Sequence, residues 1–240
     1  LAGALIGKYK KAKFSYPGGC DIGSRPIDLH IKGFEKLGIQ IREDHGKIEC
    51  NAEEIIGNQI NLDFPSVGAT ENIILASCLG KGTTILTNAA KEPEIEDLIK
   101  YLNKMGAKIK GAGTDRIEII GVKKLSEISY NIMPDRIEAG TYLVAGAITG
   151  GRVKITNANP MHIEPIINKL EEANCKLNVE KNTIEIIAPK RVKAIDIKTM
   201  PYPGFPTDLQ SIFAALLATG KGTSVITENI FESRYKYVQE

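Results

Sequence analysis

The 240 residues carry 31 lysines and arginines against 29 aspartates and glutamates, a net charge of +2, and 42% of them are hydrophobic. That balance suits one or two globular domains with real cores, and without a basic block or acidic tail it gives no case for nucleic acid or an anionic membrane as partner. No apolar run reaches the ~20 residues that span a bilayer, and the four cysteines lack any C-x-x-C pairing, so no metal, cofactor or redox pair is implied and a reducing cytoplasm is the simplest setting.

In chain order, Leu1 to Gly7 reads as the apolar end of a helix. It is too short, and lacks the basic start, for a signal peptide. Ser15 to His30 follows, with Gly18, Gly19 and Gly23 around Cys20, a composition that makes a loop. A loop thiol a few residues from Arg25 can have its pKa lowered and become reactive. Arg25 and Pro26 precede a helix whose first turn tolerates proline, and a helix N-terminus beside an arginine is suited to anions.

That helix places Ile27, Ile31, Phe34 and Leu37 on one apolar face. The same spacing returns at Ile95, Ile99, Leu102 and Met105, and again at Ile163, Ile167, Leu170 and Ala173, in steps of 68 residues. Gly38, Gly106 and Asn174 follow as C-caps. Each helix leads into two short strands: Ile39 to Arg42 with Lys47 to Cys50 around an Asp44-His45-Gly46 turn, Ala107 to Lys110 with Ile117 to Ile120, and Lys176 to Val179 with Thr183 to Ile187. A further strand is expected at Gln59 to Asp63 and at Ala194 to Lys198.

A second helix type repeats every 70 residues. Gly80, Gly150 and Gly220 each end a small-residue-rich apolar helix and precede a β-branched strand, at Thr83 to Thr87, Val153 to Thr156 and Thr223 to Thr227. These glycines are read as left-handed helix caps. The helices Gly68 to Leu79 and Ala139 to Thr149 are apolar nearly all round, which marks buried helices with sheets outside them. The pattern loses register between Leu125 and Pro134, so a boundary is expected there, with domains 1–132 and 133–240. The first unit begins mid-helix and the last stops after its first strand, from which a longer parent protein is expected. Cys78 and Cys175 lie on periodic elements and Cys50 ends a strand, so these three read as small core hydrophobes.

Pro17-Gly18-Gly19-Cys20, then Ile22-Gly23, Arg25-Pro26 and Asp28-Leu29-His30, resembles the cysteine-loop signature of the UDP-N-acetylglucosamine 1-carboxyvinyltransferases. Agreement continues through Ser66-Val67-Gly68-Ala69-Thr70, Asn88 to Ile95, Gly113 to Ile117, Pro134 to Gly140, Pro206 to Gln210 and Thr227 to Arg234, and so along the whole chain. The resemblance implies an α/β (α+β) fold of inside-out, barrel-like domains built from repeats of about 70 residues, helices inside and sheets outside. It implies transfer of the enolpyruvyl group of phosphoenolpyruvate to the 3-hydroxyl of UDP-N-acetylglucosamine, with release of phosphate. Those two small molecules would be the partners, with no cofactor and no oligomeric state indicated.

By the same resemblance, Cys20 donates the proton to the enolpyruvyl carbon, can hold phosphoenolpyruvate covalently, and is the target of fosfomycin. Arg25 clamps phosphate; Pro26, Ile27, Asp28 and Leu29 touch the uridine end; Ser66, Val67 and Gly68 make a second nucleotide contact at a helix N-terminus. Asp208 is the candidate general base beside the sugar hydroxyl, Ile230 a further substrate contact and Arg234 an arginine of the cleft. Adding an alcohol across an enol ether needs one proton delivered to carbon and one taken from oxygen, which a thiol and a carboxylate can supply. Read without the resemblance, Asp208 in Pro206-Thr207-Asp208 suits a helix N-cap. The family's early Lys-Asn pair and its late arginine fall outside the 240 residues, so turnover is expected of the parent protein rather than of this chain alone.

Two alternatives remain at this stage. The sister 5-enolpyruvylshikimate-3-phosphate synthases share fold and phosphoenolpyruvate but lack the Pro-Gly-Gly-Cys loop. A binding paralogue would keep the sugar-nucleotide contacts and release no phosphate.

Overall fold

The computed structural model describes residues 1–16 and 26–239, and they fall into two compact units, one ending at Ile132 and the other beginning at Met133. Cys20 and Arg25, to which the resemblance gives roles, lie outside the described residues.

In the first unit the order is α1 (Ala2–Tyr9), β1 (Lys11–Ser15), α2 (Asp28–Lys36), β2 (Gln40–Asp44), β3 (Lys47–Asn51), β4 (Gln59–Asn61), α3 (Val67–Ser77), β5 (Thr83–Thr87), α4 (Pro93–Lys104), β6 (Lys108–Lys110) and β7 (Arg116–Ile120). Strands pair as β1-β3-β2, all antiparallel, and as β4-β5-β7-β6, where β4 and β5 run parallel. β3, β5 and β7 bury alternate residues, so each sheet turns one face to the core. α3 packs against α1, α2 and α4, and its Ile73 and Ile74 are fully buried. Its centrality follows from composition: an apolar helix with small residues has no face to give to water.

The second unit repeats the plan with α5 (Arg136–Ile148), β8 (Arg152–Thr156), α6 (Glu164–Glu172), β9 (Lys176–Val179), β10 (Thr183–Ile187), β11 (Ile197–Lys198), α7 (Gln210–Ala218) and β12 (Ile226–Thr227). The sheet β8-β10-β9 has the connectivity of β1-β3-β2, and β11 pairs with β12 in parallel as β4 does with β5. Each unit has its own core, around Phe34, Ile73, Leu86 and Ile95 in the first and Leu143, Leu170, Ile186 and Phe213 in the second. Phe213 is fully buried and meets Phe205 edge-on at 4.9 Å between centroids.

The 68-residue repeat is therefore a structural repeat of helix and hairpin, and Gly38, Gly106 and Asn174 all take the left-handed conformation expected of them. The described residues form four separate open sheets. One expectation needs correction. Of the three 70-step glycines only Gly150 is left-handed; at the other two places the left-handed residues are Gly82 and Gly222. Gly80 and Gly220 sit in tight places instead: a Cβ on Gly80 would lie 3.0 Å from the Ile55 carbonyl oxygen, and one on Gly220 would lie 3.0 Å from that of Leu217, so the neighbours would have to give by a few tenths of an ångström.

Candidate functional site

In the first unit the residues matched to nucleotide contacts sit at two neighbouring helix starts. Pro26 and Ile27 lead into α2, of which Asp28 and Leu29 are the first residues. Ser66 is the N-cap of α3 and accepts the Ala69 N–H at 3.3 Å, while Val67 and Gly68 form its first turn. His30 of α2 lies against Gly68, where an added Cβ would come within 3.3 Å of the imidazole. Asn72, one turn on, donates to the Gly68 carbonyl at 3.0 Å and reaches His30 Nδ1 at 3.3 Å, while its Oδ1 accepts the Gly3 N–H at 2.7 Å. Lys32 and Asp63 add an ion pair at 2.7 Å between the same two segments. The structure thus brings 26–29 and 66–68 together, with both helix starts contributing positive partial charge.

Burial pushes the His30 imidazole below its ordinary value, and the Asp28 carboxylate pulls the other way. Beside it lies a cavity of about 270 Å³, lined by Phe14, Ile27, His30, Ile31, Phe34 and Asn72 among others.

In the second unit Asp208 and Arg234, 26 residues apart, form an ion pair at 2.9 Å. The same guanidinium donates through Nη1 to Thr207 Oγ1 at 3.0 Å and stands 5.4 Å from the Phe231 ring centroid. Asp208 is not the helix N-cap its sequence context suggests. It sits inside a single 3-10 turn, Thr207–Leu209, that precedes α7, and its carboxylate turns to Arg234. A competing ion pair outweighs the local cap here.

Sequence reasoning missed the residue that organises this cluster. The Glu228 carboxylate accepts four hydrogen bonds: from Thr199 Oγ1 and Thr207 Oγ1, both at 2.9 Å, and from the backbone N–H groups of Ile230 at 2.8 Å and Phe231 at 3.2 Å. Ile230 is thereby held through its backbone in the turn after β12. Nothing in the spacing of Thr227-Glu228-Asn229 signals this role, because the partners come from three separate segments.

Cys50, Cys78 and Cys175 are free thiols, and all are buried. Burial pushes Cys78 up to about 12 and Cys175 up to about 11, and raises Cys50 as well. They behave as the core hydrophobes the sequence suggests. Among the described residues no group of three or more His, Cys, Asp or Glu is placed to hold a metal, and no helix is long and apolar enough to cross a membrane.

The fold is that of the enolpyruvyl transferases. The enolpyruvyl transferase NikO from Streptomyces tendae superposes with a TM-score of 0.85 over 99% of this chain and 57% of its own, at 21% identity. An EPSP synthase from Acinetobacter baumannii does so with 0.63 over 93% and 54%, at 23% identity. The chain belongs to the EPSP synthase (3-phosphoshikimate 1-carboxyvinyltransferase) family, whose model matches residues 1–240.

Among curated relatives, UDP-N-acetylglucosamine 1-carboxyvinyltransferase 2 of Caldanaerobacter subterraneus subsp. tengcongensis is 56% identical over 241 residues. The enzyme numbered 1 in that organism is 53% identical, and UDP-N-acetylglucosamine 1-carboxyvinyltransferase of Geobacter metallireducens is 51% identical. Each match covers all of this chain, and the chain spans 58% of each relative.

Proposed function

We propose that the protein to which these 240 residues belong transfers the enolpyruvyl group of phosphoenolpyruvate to the 3-hydroxyl of UDP-N-acetylglucosamine and releases phosphate. The observation that carries this reading is the identity of 51–56%, sustained over the whole chain, to relatives bearing that enzyme's name. The pairing of Asp208 with Arg234 supports it, since two residues that the resemblance assigns to one site, 26 positions apart, are neighbours in the fold.

In this reading Cys20 delivers a proton to the methylene carbon while Asp208 takes one from the sugar hydroxyl. The C–O bond forms at the carbon that bears phosphate; the methyl carbon then gives a proton back to the thiolate as the bond to phosphate breaks, phosphate leaves and the enol ether re-forms. Arg25 and Arg234 offset the negative charge of phosphoenolpyruvate. The uridine diphosphate portion lies along residues 26–29 and 66–68, where two helix starts favour an anion, and Ile230 makes a further contact. The reaction is the first committed step of peptidoglycan synthesis and takes place in the cytoplasm, which ties the protein to cell shape and division.

Phosphate release from phosphoenolpyruvate by the full-length protein, with and without the sugar nucleotide, tests this. Release that requires UDP-N-acetylglucosamine agrees with the proposal. Tight sugar-nucleotide binding with no release would favour the binding-paralogue reading.

A further inference from the structure

We infer that Glu228 is a positioning residue that ties the Thr207-Asp208 segment to the Ile230–Arg234 segment and so fixes the acid–base aspartate. The inference rests on the reading of Asp208 given above. The geometry is a chain with one consistent direction of donation. Arg234 donates to Asp208 at 2.9 Å and to Thr207 Oγ1 at 3.0 Å. With one lone pair so occupied, the Thr207 hydroxyl donates its own hydrogen to Glu228 Oε2 at 2.9 Å. Glu228 Oε1 takes the N–H groups of Ile230 and Phe231 and the hydroxyl of Thr199. The Thr199 hydroxyl in turn accepts the Asn229 N–H at 2.9 Å, and Thr199 is fully buried. Glu228's own N–H donates to Tyr235 Oη at 2.8 Å, whose hydroxyl is passed on to the Ile226 carbonyl.

Only an acceptor-only group fits the centre of this network, because all four partners donate to it. A glutamine must present its NH2 either to the Thr207 hydroxyl or to two backbone N–H groups and the Thr199 hydroxyl. One orientation forces the Thr207 hydroxyl to accept from the amide as well as from Arg234 and to turn its own hydrogen elsewhere, and the other opens the 230–231 turn. Either way Arg234, and with it Asp208, loses its fixed place. Glu228 itself need not touch substrate to act.

The experiment uses full-length protein carrying Glu228→Gln, Thr207→Val, Thr207→Ser and the double variant of the first two. Steady-state phosphate release and hydrogen exchange of peptides covering 206–210 and 229–235 are measured on each. Glu228→Gln should lower kcat about a hundredfold, the scale of a misplaced catalytic group, with a smaller rise in KM because Ile230 and Arg234 shift with it. Thr207→Val should do the same and Thr207→Ser should stay near wild type, since serine keeps the relay hydroxyl. The double variant should be no worse than the poorer single one, because the two groups act in series. Exchange should quicken in both peptides in Glu228→Gln.

A kcat within about threefold of wild type in Glu228→Gln, or single losses that multiply in the double variant, overturns the inference. So does unchanged exchange at 206–210. A wild-type protein that folds yet releases no phosphate counts against the enolpyruvyl reading instead, and the exchange comparison then decides the tie on its own. Should Glu228→Gln fail to fold, Thr207→Val against Thr207→Ser carries both readouts.

Discussion

Replacing Asp208 by asparagine separates catalysis from architecture, because the structure makes the two effects very different in size. The aspartate side chain is 57% exposed and its partner Arg234 is 15% exposed. An ion pair with one end in water is worth about 0–1 kcal/mol. Asparagine keeps an oxygen that can accept from Arg234 Nη2, so the loss of folding stability should be at most about 1 kcal/mol. Removing a general base, by contrast, costs about a hundredfold to ten-thousandfold in kcat. That equals about 3–5 kcal/mol of activation barrier. Equilibrium urea unfolding and phosphate release on the same full-length preparation give both numbers. A kcat within about threefold of wild type would remove Asp208 from the chemistry. A stability loss near 3 kcal/mol, with activity falling only as folded protein is lost, would make it a structural residue.

Further predictions concern the thiols, a buried hydroxyl and one histidine. Cys20→Ala should abolish turnover, and Cys20→Asp should resist fosfomycin, since a carboxylate is not alkylated as that thiol is. Of the four cysteines in these 240 residues, a thiol reagent at about pH 8 should label only Cys20 in native protein, and none of them in the alanine variant until it is unfolded. A label mapped to native Cys50, Cys78 or Cys175 would contradict their burial. Thr70 is fully buried and its Oγ1 accepts the Ala90 N–H at 3.1 Å. Thr70→Val strands that donor and should cost about 1–3 kcal/mol in urea unfolding, and a loss below about 0.5 kcal/mol would refute the assignment. His30 has a folded pKa pushed below 6.5, chiefly by burial. Its contribution to stability is therefore present above pH 6.5 and lost as pH falls, because the unfolded chain binds the proton more readily. His30→Gln should flatten the acid decline of stability by up to one proton's worth, about 1.4 kcal/mol per pH unit, and an unchanged slope would contradict this.

The helical and hairpin repeat was legible in the sequence because its signals are local. Ile27 to Leu37 and its two copies state their apolar face by spacing alone, and Gly38, Gly106 and Asn174 mark where each helix stops. The Asp44-His45-Gly46 turn is likewise readable, and His45 and Gly46 both take positive φ. What the sequence hid depends on distant partners. Gly80 looks like a cap, yet its tight neighbour is the Ile55 carbonyl 25 positions earlier. Asp208 looks like a cap too, and only the return of Arg234 redirects it. Glu228 has no local signature: composition marks the Pro201-Tyr202-Pro203-Gly204 turn between Thr199 and Thr207, yet nothing in it shows that both hydroxyls reach one distant carboxylate. For the candidate site, motif resemblance named Asp208, Ile230 and Arg234, while the hydrogen bonds that connect them had to come from the fold.

The central claim is the identity of the acceptor, and isotope tracing tests it most directly. Phosphoenolpyruvate labelled with carbon-13 is incubated with full-length protein, UDP-N-acetylglucosamine and shikimate 3-phosphate together, and the products are read by mass spectrometry. The account predicts that the labelled three-carbon unit appears on the sugar nucleotide, with one phosphate released for each transfer. Label on shikimate 3-phosphate, or only in free pyruvate, would contradict it.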